Sequence, residues 1–430
     1  MKPCLLFLHL NVEHYCNIMK SVKHILGLIL ILAFPFGLEG QKLEFNGFID
    51  SYHAVRIKDP HDFMSSRSRF RGEMRGLHGN TGFYASINAN HNYLLPELTF
   101  LELREAYLDY AGTNWDLRAG RQIIIWGVSD GIRITDIISP MDFTEFLARD
   151  YDDIRLPVDA LRFRVFSDEA KLELVYVPVF QSFIYPVNPD NPWSIIPSSQ
   201  EGPNMHLAPA QTPESTLKNG EIGGKLSFYP SGYDISIYSL YTWNKLPVFE
   251  KHISAGLDTI LLTPTHHRIK MVGMDVSKPI GSLVIRGEGA YFAGEYHSTQ
   301  LNGNSNHLVK KDVIRYLVGL DWYPGSEWTL TGQFSHTCIL YYEQILEEDN
   351  HAILATLGIS KKVLRSTLSV SSFGYVDLKN QGLFNRTSVD YALSDHIHML
   401  TGVDLFSGDK GTFGMYQDNS EIWIKMKYSF

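Results

Sequence analysis

From residue 43 to the end of the chain, apolar and polar residues alternate with a period of two, the pattern of β-strands exposed differently on two faces. The clearest case is 419–430. Ile422, Ile424, Met426, Tyr428 and Phe430 share one face, while Glu421, Trp423, Lys425 and Lys427 share the other. The same alternation runs through 43–55, 67–78, 82–92, 101–112, 114–125, 159–167, 169–179, 219–230 and 232–244. It continues through 267–279, 281–294, 312–323, 326–341, 351–363, 365–376, 381–393, 395–407 and 419–430. That parse gives 18 strands, an even number, and a slip of one hairpin would leave 16. Every second connection is tight, as at Gly79-Asn80-Thr81, Gly112-Thr113, Pro230-Ser231-Gly232 and Pro279-Ile280-Gly281, where Gly and Pro suit short reversals. The others are mostly long: 56–66, 93–100, 126–158, 180–218, 245–266, 295–311, 342–350 and 408–418, with 377–380 the short exception. Tight turns at one rim and long loops at the other predict an all-β fold, a transmembrane antiparallel up-and-down β-barrel.

A hydrophobic strand left unpaired at an edge invites aggregation, so 419–430 is expected to close the sheet against 43–55. Aromatic residues flank the tight turns. Trp322, Tyr323 and Trp328 surround Pro324-Gly325, and Phe228, Tyr229 and Tyr233 surround Pro230, as rings at a membrane interface would. No stretch of 18 apolar residues follows residue 41, so no membrane-spanning helix is predicted there.

Lys20 and Lys23 precede an apolar run from Ile25 to Phe36, shorter than the roughly 20 residues that span a bilayer. Residues 1–40 therefore read as an N-terminal extension and cleaved signal peptide, cut after Gly40, with Met19 an alternative start. Residues 41–430 read as one barrel domain. Cys4 and Cys16 fall in the removed segment, leaving Cys338 without a disulfide partner or metal-ligand spacing, and no cofactor or metal is expected. A net charge of −9 without a basic arm excludes a general nucleic-acid binder.

The chemistry sits on the face opposite the lipid. Arg67, Arg69, Arg71, Glu73 and Arg75 share one face of their strand, while Phe70, Gly72, Met74 and Gly76 share the other. Each guanidinium facing lipid would cost about 2–4 kcal/mol at the bilayer midplane, so this face is expected to line the lumen. Arg162 and Arg164 alternate with Leu161, Phe163 and Val165 in the same way, and Arg104, Arg118, Arg286 and Arg315 extend the lumenal set. The third long loop, 126–158, carries Asp130, Asp136, Asp142, Glu145, Asp150, Asp152 and Asp153. It is expected to fold inward, burying Ile134, Ile137, Ile138, Phe143 and Phe146 and forming a short helix over 140–147 with Asp142 near its N-terminus. An acidic loop facing a basic wall would select solutes by size and charge. In the alternative, these charges are structural ion pairs bracing the wall. Loop 180–218, with seven prolines from Pro186 to Pro213, reads as an extracellular, lid-like segment or a partner-binding surface.

The terminal strand ending at Phe430 resembles the closing strand of bacterial outer-membrane β-barrels. That resemblance implies the outer membrane of a Gram-negative cell, with its lipids and the barrel assembly machinery as partners. A second resemblance lies in 120–164. Gly120-Arg121-Gln122, Trp126-Gly127, Ser139-Pro140-x-Asp142 and Leu156-Pro157-Val158 resemble a porin-like family of proteobacterial outer-membrane barrels. It implies a porin passing small solutes by diffusion, or the exit component of an export system for apolar compounds. Resemblance to porins of this size implies a homotrimer. Physically, Arg121 and Trp126 mark the strand's exit into the loop, and Gly127 lets the chain turn inward. A surface receptor or adhesin with a plugged lumen and a soluble periplasmic β-sandwich are rival readings. An enzymatic barrel is a weaker one. Neither Gly-x-Ser-x-Gly nor His-Glu-x-x-His occurs, and His266-His267 and His396-x-His398 are the only suggestive clusters, so no enzyme is expected.

Overall fold

The computed structural model describes residues 42–151, 153–196, 204–253, 259–325 and 327–430. The expected signal peptide and Asp152 lie outside the described residues. The first strands are β1 (Lys42–Arg56), β2 (Phe63–His78), β3 (Thr81–Asn92), β4 (Phe100–Ala111), β5 (Trp115–Gln122), β6 (Val158–Phe166) and β7 (Ala170–Val177). Next come β8 (Asn204–Leu207), β9 (Glu221–Phe228), β10 (Asp234–Trp243), β11 (Val248–Ile253), β12 (Thr259–Thr265), β13 (Arg268–Ile280) and β14 (Leu283–Ser298). The remainder are β15 (Leu308–Trp322), β16 (Trp328–Ile339), β17 (His351–Val363), β18 (Leu368–Asp377), β19 (Gly382–Ala392), β20 (Ile397–Ser407) and β21 (Glu421–Ser429). All but β8, β11 and β12 pair antiparallel with their neighbours in an 18-stranded sheet that closes on itself.

Closure is made by β21 and β1, in register from Phe48 opposite Ser429 to Arg56 opposite Glu421. Gly47 and Phe430 exchange both backbone hydrogen bonds at 3.0 Å, and the Phe430 ring lies against Phe70. Gly47 permits that approach, because a Cβ there would come within 2.3 Å of the Arg71 carbonyl oxygen and 2.8 Å of the Phe430 ring. The two faces of β21 separate as the alternation requires. Ile422 is 55% exposed and Phe430 46%, whereas Glu421 is 0% and Trp423 3%. Around the barrel, Phe45, Ile49, Leu161, Val272, Val318, Leu357 and Leu405 likewise point outward and exposed. A continuous apolar exterior of this kind is suited to hydrocarbon and would be an aggregation surface in water. Tyr229, Tyr233, Trp322 and Tyr323 stand exposed beside the tight-turn rim.

Several boundaries differ from the alternation parse, and three of the differences change the picture. β14 and β15 continue to Ser298 and from Leu308, past Gly294, where the register shifts between Phe292 and Glu295. The bulged glycine, at φ +80, interrupts the period of two without ending the hairpin. β5 stops at Gln122, earlier than the expected 125. The segment 245–266 is not plain loop, since it holds the hairpin β11–β12, against which β8 adds in parallel.

Candidate functional site

The segment between β5 and β6 leaves the wall through a tightly determined corner. Gly120, at φ +130, sits where a Cβ would be 2.3 Å from the Ala106 carbonyl. Beside it, Arg121 Nε donates to Leu103 O at 2.9 Å, and buried Gln122 Nε2 donates to Ala160 O at 3.0 Å. Trp126 is buried, with Nε1 donating to Glu173 of β7 at 2.7 Å. Gly127 then turns the chain at φ +86, and a Cβ there would lie 2.6 Å from Glu288 Oε1.

Glu288, buried on β14, organises the chain beyond this turn. Its carboxylate accepts from Val128 N at 2.9 Å, Ser129 N at 3.1 Å, and both Thr135 N and Thr135 Oγ1 at 2.7 Å. Next to it, Arg286 Nη2 binds Asp130 at 2.7 Å and Asp321 at 2.6 Å. Gln333 of β16 exchanges hydrogen bonds with the Asp130 backbone at 2.8 and 3.1 Å, and Tyr375 of β18 donates to Gly131 O at 2.9 Å. Residues 126–135 are thereby pinned along the inner faces of β14, β16 and β18.

The same segment reaches the opposite wall through carboxylates. Glu145 accepts from Ser65 Oγ at 2.7 Å and contacts Arg67 Nη2 at 3.1 Å. Asp153 bridges Arg69 at 2.9 Å and Arg71 at 3.1 Å, while Asp50 of β1 holds the other side of Arg69 at 2.6 Å. Asp150 meets Lys425 of β21 at 2.6 Å and Arg386 of β19 at 3.8 Å. Desolvation opposes ionisation of Asp150 and Asp153. Even so, Lys425 and Arg386 hold the Asp150 carboxyl below its ordinary value, and Arg69, Arg71 and Arg149 do the same for Asp153. Charged groups in such surroundings contribute through their pairing, and removing one partner leaves the other buried and uncompensated.

Two further segments enter the lumen. Phe143 N donates to Ile184 O at 2.7 Å and Ile184 N to Met141 O at 2.9 Å, laying residues beyond 180 along the first loop. Trp193 is buried against Phe406 and Tyr416, with ring centroids 5.4 Å from each, and Phe146 lies 4.6 Å from Tyr416. Tyr416 belongs to the segment after β20, and its hydroxyl donates to Trp193 O at 3.1 Å. The start of 180–218, expected outside as a lid, therefore packs inward. Large aromatic area and a ready carbonyl acceptor favour that position over solvent.

Beyond this aromatic cluster, a cavity of about 400 Å³ separates the loop from the inner faces of β15–β18. Ile132, Ile134, Met141, Phe143, Phe146 and Leu147 form its loop side, and Ser335, Thr337, Leu354 and Tyr375 stand on the wall. Arg133 and Arg315 also border it.

Placement of the expected residues is uneven. Arg67, Arg69 and Arg71 all meet loop or wall carboxylates. Arg75 is exposed and lies over Tyr84, away from those contacts. Arg104 is buried on the inner side of β4. Arg118 pairs with Asp109 at 2.6 Å and Arg164 with Asp116 at 2.7 Å, while Arg162 stands opposite Arg118 across β5 and β6. Of the loop acids, Asp130 pairs with β14 rather than with the arginine strand. Asp136 pairs within the loop with Arg155 at 2.8 Å, and Asp142 with Arg149 at 2.7 Å. No helix forms over 140–147. Asp142 Oδ1 instead accepts from Thr144 N at 2.9 Å in an Asx turn, and Met141 and Asp142 make β-bridges to Arg155 and Ile184 that hold the backbone extended. Pro140 is buried, its carbonyl accepting from Leu156 N at 2.9 Å. Glu288, Gln333 and the Trp193 cluster escaped the sequence reading. A single acid between Gly287 and Gly289 carries no signal that it gathers a loop more than a hundred residues away.

Geometry of this kind defines a porin-like outer-membrane β-barrel fold: closed, antiparallel, apolar outside and charged within. Among solved structures, the chain is similar to OccD3 (OpdP) of Pseudomonas aeruginosa, at 10% identity over 91% of this chain and 92% of that one, with a TM-score of 0.52. It is also similar to OccK3 (OpdO) of the same organism, at 10% identity over 90% and 96%, with a TM-score of 0.52. No curated protein matches the sequence. Residues 97–408 match the family described as "Protein of unknown function (DUF1302)", and the chain belongs to that family.

Proposed function

We propose that this protein resides in a Gram-negative outer membrane and is a channel passing small solutes by diffusion through a lumen narrowed by residues 126–157. The observation that carries this reading is the asymmetry of the loop's seating. Glu145, Asp150 and Asp153 are held against β2, β19 and β21, while a cavity of about 400 Å³ remains against β15–β18. Charged groups and hydroxyls on the inner faces suit hydrated solutes, and the apolar exterior suits lipid. In planar bilayers the purified barrel should show discrete, ohmic conductance steps. A second reading is favoured by the meeting of three segments at Phe146, Trp193, Phe406 and Tyr416, which suits a plugged barrel that displays surface loops. Zero conductance from correctly folded protein would select that reading. A homotrimer is the assembly to test by cross-linking in intact membranes.

A further inference from the structure

The loop has two chemically distinct sides. Its acids are consumed by the arginine strand, by Lys425 and by Arg149, Arg155 and Arg286, whereas the side facing β15–β18 is nearly all apolar. Within that apolar side stands one cation whose bonds are incomplete. Arg133 Nε and Nη2 donate to the backbone carbonyls of Asp136 and Ser139, both neutral acceptors. Its Nη1 is buried with no hydrogen-bond partner. The nearest carboxylate, Asp136, lies 3.7 Å from Nε but binds Arg155 more closely, at 2.8 Å. A buried guanidinium nitrogen left unpaired is costly, and an anion is the group that relieves it best.

The rest of the lining fits the same ligand. Ser335 and Thr337 place hydroxyls on the wall, and Arg315 adds positive charge, although its Nη2 already contacts both oxygens of Glu295 at 2.8 and 2.9 Å. Asp377 is the one bordering carboxylate, and it is occupied by the N–H groups of Lys379 and Asn380 at 2.9–3.0 Å. At about 400 Å³, the cavity falls in the range that encloses small organic ligands.

We propose that this cavity is a binding site for an amphipathic organic anion, its apolar body against the loop and its carboxylate on Arg133. The assignment rests on the channel reading only for the idea that this anion is a transported solute. Apolar contact supplies affinity, and Arg133, with the weaker field of the already paired Arg315, selects for charge and fixes orientation.

The test is calorimetric titration of the refolded barrel, in non-ionic detergent, with 4-phenylbutyrate, 4-phenylbutanol and acetate. Saturable one-to-one heat is expected for 4-phenylbutyrate, and much weaker binding for the alcohol or for acetate. Arg133→Gln should weaken 4-phenylbutyrate about ten-fold, the cost of one charged hydrogen bond. Because Arg133 also ties the loop to its own backbone, Leu354→Trp provides a second variant that fills the cavity from the wall and should abolish binding. Arg365→Gln, in a tight turn, should change nothing. Equal binding of acid and alcohol, or full binding by both cavity variants, overturns the assignment. The readout is independent of conductance. Conductance without saturable binding would remove this site alone, whereas binding without conductance would remove the channel reading and leave the site standing.

Discussion

The two inner walls of this barrel differ in a way that inverts their apparent importance. One wall, formed by β1, β2 and β21, carries Arg67, Arg69, Arg71 and Lys425 and looks like the working surface of an ion-selective pore. Yet each of those cations meets a carboxylate of a single loop. The other wall, β15–β18, presents Ser335, Thr337, Leu354 and Tyr375, and it is the one that borders a cavity. Charge density on a strand therefore reports where the loop is fastened. The cavity lies against the plainer wall, where residues 126–135 are held by hydrogen bonds to Glu288, Gln333 and Tyr375 instead of by a row of ion pairs.

Removing the loop's crossing segment should have the largest effect. Deletion of 136–150 takes away Glu145 and Asp150 together with Met141, Phe143, Phe146 and Leu147 of the cavity's apolar side, and single-channel conductance should rise several-fold. An unchanged conductance would place the loop outside the conduction path and dissolve the contrast between the walls. Less drastically, Glu145→Gln with Asp153→Asn keeps the loop but strips two acids from the arginine strand. Leaving Arg67 and Arg71 without a carboxylate, while Arg69 keeps Asp50, should destabilise the protein by about 3–5 kcal/mol, read from the urea midpoint. Reversal potentials in a salt gradient should move toward anion preference, and neutralising Arg67, Arg69 and Arg71 together should move them toward cations. Equal and negligible shifts in both would mean that this wall is wholly sealed. Smaller still is Glu288→Gln, which halves an acceptor set serving four donors near the second wall. About 1–3 kcal/mol of stability should be lost, with ion preference unchanged.

The contrast between the walls also separates local from distant information in the chain. Alternation is a local property, so the strands, their outward-facing residues and the closing pair 43–55 with 419–430 were legible in the sequence itself. Gly127 and Trp126 were legible as a corner for a related reason: a left-handed turn and a bulky ring each have few uses. Pairing is not local. Nothing in the spacing of Asp136, Asp142 and Asp153 says that the first two bind Arg155 and Arg149 within the loop while the third crosses to Arg69 and Arg71. The helix expected over 140–147 failed likewise, since its end is decided by β-bridges to Arg155 and Ile184, supplied by distant chain. The Trp193 cluster depends on three segments meeting and leaves no mark in any one of them.

Acid titration offers the finest separation of the two walls. Desolvation raises the carboxyl pKa of Asp142, Asp150 and Asp153, but their basic partners outweigh it and leave all three depressed. A depressed carboxyl contributes stability that is fully present above its unfolded value, about 3.9, and is lost as pH falls through the folded value. Conductance should therefore be flat from pH 7 to about pH 5, with loop release beginning only below about pH 4. A rise near pH 6 would mean that some other group fastens the loop. The cavity wall should behave differently, because the guanidinium of Arg133 keeps its proton throughout this range. Binding of 4-phenylbutyrate should fade as the ligand's own carboxyl protonates, and the fade should track that carboxyl rather than the loop. If binding and conductance instead change together at one pH, the two walls are coupled through the loop, and the anion site exists only while Asp150 and Asp153 hold it in place.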